Sequence, residues 1–170
     1  MEEKTLTGYP SIDKPWLKYY TEEAIHAPLP KCTAYELIRR GNAGHPDDTA
    51  LIYFDRKITY GQMFDGIESA AKAFASLKIA QGDIVILCVV NMPETVYMLY
   101  ALDRLGAVAN LVDPRTNAEQ LRNYITECDA KLVVTVDLAY PVIQKAARET
   151  AVERIVTVSL ADSLPPVKRI

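Results

Sequence analysis

Histidine is scarce in this 170-residue chain: there are two, His26 and His45, both close to prolines in expected loops. Neither has a partner at the spacing that a metal site or a nucleophile-base pair needs, so exposed loop histidines are expected. Cysteine is nearly as rare. Cys32, Cys88 and Cys128 are odd in number and widely spaced, which argues against a disulfide framework or a zinc site. No apolar run reaches the roughly 18 residues of a membrane helix, and the acidic start Met1-Glu2-Glu3-Lys4 does not read as a signal peptide. A reducing, cytoplasmic setting is expected. An excess of positive charge is also missing. The net charge is -3 and the basic residues are scattered singly or in pairs, so neither nucleic acid nor an acidic membrane is an expected partner. Glycines placed directly after a strand, which let backbone approach a pyrophosphate, are absent too. Gly41 and Gly44 follow a helix, and a helix end and a turn account for them.

What is present is apolar and well patterned. With 49% apolar and 24% charged residues, a chain of this length can form one ordinary core. The stretch Gly82 to Arg115 organises the rest. Ile84 to Val90 is a continuous Val/Ile-rich run of strand length, as expected for a strand covered on both faces. Asn91 is the expected cap of the helix that follows, and Pro93 and Glu94 suit its first turn. That helix continues to Gly106, which can adopt the positive φ that ends a helix. Ala107 to Val112 is a second strand, broken at Asp113-Pro114. Strand, helix and strand in this order form a βαβ unit with parallel strands.

Before this unit, residues 1 to 32 carry Pro10, Pro15, Pro28 and Pro30 among Tyr9, Trp16, Tyr19 and Tyr20. That density of proline prevents long regular structure, and an irregular arm lying across a core is expected. Thr33 with Glu36 fits a capping box for a short helix to about Asn42. Leu51 to Phe54 and Lys57 to Thr59 form an expected hairpin turning at Asp55-Arg56. Thr59 with Gln62 caps the next helix, whose stripe Phe64, Ile67, Ala71 and Phe74 faces the sheet. After the unit, Asn117 caps a helix to about Cys128 with Leu121, Tyr124 and Ile125 on one side. Lys131 to Val136, Pro141 to Thr150 and Arg154 to Val158 then read as strand, helix and strand. The expected fold is α/β: an open, mainly parallel sheet with helices on both faces, preceded by the irregular arm and a small hairpin. The expected division is an arm at 1–32, an α/β subdomain at 33–160 and a linker at 161–170.

Local chemistry is thin. Glu22-Glu23 and Asp47-Asp48 are adjacent carboxylates whose side chains diverge, so they are expected to be solvated charges. By local pattern alone this is a doubly wound domain without a self-sufficient active site. A binding or regulatory α/β module therefore stays open, whereas a dinucleotide-dependent oxidoreductase is disfavoured by the missing glycine fingerprint.

The order Ala50-Leu51-Ile52, Ile58-Thr59-Tyr60-Gly61, Gly82-Asp83-Ile84-Val85, Asn91-Met92-Pro93-Glu94, Leu105-Gly106-Ala107-Val108 and Asp113-Pro114 resembles the start of adenylate-forming enzymes. That family includes acyl-CoA synthetases, peptide-synthetase adenylation domains and luciferases. The resemblance covers roughly residues 30 to 160 and rests on many weak motifs in order. It implies an N-terminal portion of an ATP-dependent, carboxylate-activating enzyme that forms an acyl-adenylate and then a thioester with CoA. The family's Ser/Thr/Gly-rich phosphate loop, Tyr-Gly-x-Thr-Glu segment, ribose-binding Asp and catalytic Lys match no position here. The resemblance therefore implies a fragment inactive by itself, with no catalytic residue and no metal ligand of its own. ATP, Mg and CoA would belong to the full-length parent, and none is expected to bind the fragment tightly. Asp113-Pro114-Arg115-Thr116 lacks the Tyr-Pro and following Arg of peptide-synthetase domains, which favours a CoA ligase. In some CoA ligases an arginine matching Arg115 contacts a CoA phosphate, so Arg115 is the one candidate binding residue. The expected partners are the remainder of the parent and its carboxylate substrate. The helix from Pro93 to Leu105 is apolar nearly all round, so self-association of the fragment is a further expectation.

Overall fold

A computed structural model describes residues 6–165. By contact density they divide after Lys31 into two units. The first contains helix α1 (Pro10–Asp13), a 3-10 helix (Pro15–Tyr19) and helix α2 (Glu22–His26). None exceeds five residues: Pro15 follows α1 and Pro28 follows α2, where a proline cannot continue a helix. Tyr9, Trp16, Tyr19 and Tyr20 are all exposed.

The second unit starts with α3 (Ala34–Gly41), whose capping box forms as the sequence predicts: Glu36 N donates to Thr33 Oγ1, and Thr33 N to a Glu36 carboxylate oxygen. Strands β1 (Thr49–Tyr53) and β2 (Arg56–Thr59) pair antiparallel, and Tyr53 lies opposite Arg56. The turn is therefore Phe54-Asp55, one residue earlier than Asp55-Arg56. Both turn residues have positive φ, 47° and 68°, which gives a two-residue connection the twist that antiparallel strands need. Helix α4 (Tyr60–Ser76) follows directly, with a second capping box made by Thr59 and Gln62. It buries Met63, Ile67, Ala71 and Phe74, while Phe64 is half-buried beside Tyr35 and Tyr60.

Four parallel strands form the sheet: β3 (Ile84–Cys88), β4 (Val108–Leu111), β5 (Leu132–Val136) and β6 (Arg154–Val158). Their spatial order is β4-β3-β5-β6. The two central strands are nearly or wholly buried and the two edge strands are not. This explains why β3 and β5 read as unbroken apolar runs. Helix α5 (Pro93–Leu105) joins β3 to β4, α6 (Ala118–Glu127) joins β4 to β5, and α7 (Tyr140–Ala146) joins β5 to β6. The first connection moves one way across the sheet and the next two move the other way. Right-handed crossovers therefore put α5 on one face and α6 and α7 on the other. α4 packs on α5, and α6 on α7.

Helix α5 is apolar on most sides, yet Arg104 is its one exposed residue. Its cover comes from α3, α4 and β4. An apolar opening lies instead beside it, a cavity of about 210 Å³ where Phe74 of α4, Leu77 just after it, Tyr97 and Met98 of α5, and Val156 and Val158 of β6 meet.

Candidate functional site

Carboxyl ends of parallel strands gather the loops of an open sheet, and ligands of such sheets bind outside them. Here those loops are short. β3 ends at Cys88, and Val89, Val90 and Asn91 lead to α5; β4 ends at Leu111, and Val112, Asp113, Pro114 and Arg115 lead toward α6. Between them is a cavity of about 420 Å³ lined by these residues and Thr95. Its floor is apolar, and the charged side chains on its rim are Asp113 and Arg115.

Arg115 is 90% exposed and is held by a single residue. Its Nε donates to Asp113 Oδ1 at 3.0 Å and Oδ2 at 3.1 Å, and Nη2 donates to Oδ2 at 2.5 Å. The same carboxylate fixes the turn, accepting from the Arg115 backbone N–H at 2.8 Å, and Thr116 N donates to the Asp113 carbonyl at 2.9 Å. The guanidinium and the backbone amide hold the Asp113 carboxyl down at about 2. In return, the hydrogen bonds and charge of Asp113 raise the Arg115 pKa. Of the two pairings open to Arg115, with Asp113 or Glu119, the first forms.

Asn91 does not cap α5. The N-cap is Met92, in extended backbone at φ −144° and ψ 165°, and no side chain caps the helix. Pro93 at the first helical position fixes φ and lacks an N–H, so it sets the start one residue later than an Asn91 cap would. Thr95 N closes on the Met92 carbonyl, and Thr95 Oγ1 donates to the Val90 carbonyl at 2.6 Å. Asn91 is left exposed beside both this cavity and a second one bordered by Leu51, Ile52 and Tyr53. Thr95 had no sequence signal beyond a hydroxyl in a first turn.

Glu94, in that first turn, accepts through Oε1 from the buried Ser163 hydroxyl, and Arg56 Nη1 donates to the Ser163 carbonyl at 3.2 Å. The second carboxylate oxygen of Glu94 is buried without a hydrogen-bond partner among the described residues. The group ties the hairpin and the segment after β6 to the start of α5. Burial, and then the charge of Glu94, raise the pKa values of Tyr53 and Tyr97.

The remaining candidates stay apart from this end. His26 is on helix α2, not in a loop, and pairs with Glu22; His45 pairs with Asp48; all four side chains are exposed. Cys88 is buried in β3 opposite Thr135, and its burial pushes the thiol up to about 11. Among the described residues there is no cluster of His, Cys, Asp or Glu able to hold a metal ion. No helix among them is long and apolar enough to cross a membrane.

A family model described as AMP-binding enzyme matches residues 38–169. The chain belongs to the AMP-binding enzyme family. It is 29% identical over 161 residues to a long-chain-fatty-acid--CoA ligase of Bacillus subtilis (strain 168), covering 92% of this chain and 28% of that protein. An acetyl-coenzyme A synthetase of Sinorhizobium medicae is 32% identical over 129 residues, which are 70% of this chain and 20% of the relative. A long-chain-fatty-acid-CoA ligase from Archaeoglobus fulgidus superposes with a TM-score of 0.72 at 20% identity, over 77% of this chain and 28% of that one. That last likeness shows the fold alone. The chain thus spans between a fifth and three tenths of the length of these relatives. The family and the α/β architecture agree with the sequence motifs.

A guanidinium at the rim of an open cavity can meet phosphate oxygens, although here its Nε and Nη2 are held by Asp113. A triphosphate with Mg finds no glycine nest at the ends of β3 or β4, and no carboxylate cluster among the described residues.

Proposed function

We propose that this chain is the N-terminal portion of an acyl-CoA ligase, in which a carboxylate is joined to AMP at the expense of ATP and then passed to CoA. The observation that carries the reading is the family match over residues 38–169 together with curated relatives that are CoA ligases and several-fold longer. Residues 33–160 are the first α/β subdomain of such a ligase, and 161–170 begin the connection to its next subdomain. ATP, Mg and the carboxylate are bound by other parts of the ligase, which works in the cytoplasm. The fragment alone catalyses neither half-reaction, because positioned donors and cations around the reacting phosphate carry that chemistry. The apolar opening between α4, α5 and β6 is a contact surface for the remainder of the ligase.

Within this reading Arg115 contacts a phosphate of CoA. Its place beyond the carboxyl end of β4, on the rim of the 420 Å³ cavity, supports the assignment. In the full-length ligase Arg115→Ala should raise the KM for CoA and leave adenylate formation unchanged. An unaltered KM for CoA, or an equal loss in both half-reactions, removes the assignment.

A further inference from the structure

A guanidinium free to meet a ligand presents an open fork, whereas that of Arg115 is already occupied. Nε and Nη2 both bond to the Asp113 carboxylate, and that carboxylate also holds the Arg115 backbone N–H. These two side chains are the charged groups on the cavity rim, so the rim carries no net charge there. An incoming anion meets an arginine whose best donor edge is filled by a resident anion, and it must displace or outbid that carboxylate.

We propose that Asp113 is a specificity-determining residue: it masks Arg115 so that a dianionic phosphate monoester can engage the guanidinium while a monoanion, carboxylate or phosphodiester, cannot. This rests on the reading of Arg115 as a phosphate contact. Like acceptors compete for one fork. A singly charged oxyanion offers Arg115 no more than Asp113 already gives, and Asp113 has the advantage of being tethered two residues away. A phosphate dianion brings a second charge and a third oxygen, enough to bridge the outer Nη1 edge and draw the fork away. The turn survives the exchange. Its Oδ1 bond to the Arg115 amide is of the Asx type and is separate from the Oδ2 contact with Nη2.

Asp113→Asn separates the two roles, since an asparagine keeps the acceptor for the turn and loses the charge that masks the fork. The Arg115 Nε–Hε resonance of the ¹⁵N-labelled chain is followed at pH 7.5 during titration with methyl phosphate, a dianion, and with dimethyl phosphate, a monoanion. The unsubstituted chain should shift with methyl phosphate and be indifferent to dimethyl phosphate. Asp113→Asn should bind methyl phosphate about two- to fivefold more tightly and should respond to dimethyl phosphate as well, with the Arg115 backbone amide resonance staying in place. Equal or weaker binding of methyl phosphate by Asp113→Asn overturns the masking and leaves Arg115 as a phosphate contact. Absence of any response in both proteins, or a response that persists in a second probe in Arg115→Ala, overturns the phosphate reading and the masking with it.

Discussion

Gly66, in the middle of α4, is where the packing of α4 on α5 can be tested most sharply. A Cβ built on Gly66 would lie 2.9 Å from Cδ2 and Cε2 of Tyr97 and 3.0 Å from its Cγ. These are ring atoms, not the end of a flexible chain, so relief requires the whole ring or the helix to move. Two effects oppose each other in Gly66→Ala. Replacing a glycine inside a helix gains about 0.8–1.0 kcal/mol of propensity, whereas overpacking of this kind costs about 1–3 kcal/mol. Strain outweighs propensity, and the expected net loss is about 1 kcal/mol. In a Tyr97→Ala background the ring is gone and only propensity remains, so the same change should stabilise by about 1 kcal/mol. The coupling read from the double-mutant cycle is then about 1–3 kcal/mol. Urea unfolding followed by far-UV circular dichroism measures all four proteins. A gain of about 1 kcal/mol from Gly66→Ala with Tyr97 present, and no coupling, would refute the close approach of the two helices.

Cys88 should be the slow thiol: at pH 8 a disulfide reagent should modify the half-buried Cys32 and Cys128 and reach Cys88 only on unfolding. The buried thiol contributes stability in full below the unfolded value near 8.5 and loses it as pH rises to about 11, so an alkaline loss absent from Cys88→Ala is expected; modification of Cys88 at an exposed rate would count against this. The isolated chain should self-associate through the apolar opening near Tyr97, Val156 and Val158. Light scattering at high concentration should show species larger than a monomer, and a sharp monomer there would sink the idea.

Much of the fold was legible because it is set locally. Thr33 with Glu36 and Thr59 with Gln62 form capping boxes as the spacing predicts, and Asn117 caps its helix as its residue type predicts, since such bonds span three residues. Arg154 to Val158 forms the last strand within the predicted bounds. Misreadings came where one local rule overruled another. Asn91 is a good cap type, but Pro93 sets the helix start and leaves the cap to Met92. Asp55-Arg56 is a reasonable turn pair, yet register places Phe54 in it at positive φ, where a bulky residue is uncommon. The strand order, and the bond from Ser163 to Glu94 across 69 positions, depend on tertiary contacts that no window of sequence contains. Of the candidate site, Arg115 was proposed through family likeness and the strand-end rule, and its place beyond the end of β4 is what the structure gives. Its fork on Asp113 was one of two local pairings, and geometry chose between them.

If this chain supplies scaffold and one rim of a CoA ligase, the nucleotide chemistry resides elsewhere in the protein. Exchange of labelled pyrophosphate into ATP, with and without a panel of carboxylates, tests that division most directly on the purified chain and on the full-length ligase side by side. Carboxylate-dependent exchange is predicted for the full-length protein, followed by thioester formation when CoA is added, and none for the chain alone. Carboxylate-dependent exchange by the chain alone, or a full-length protein that shows none with any carboxylate, would contradict it.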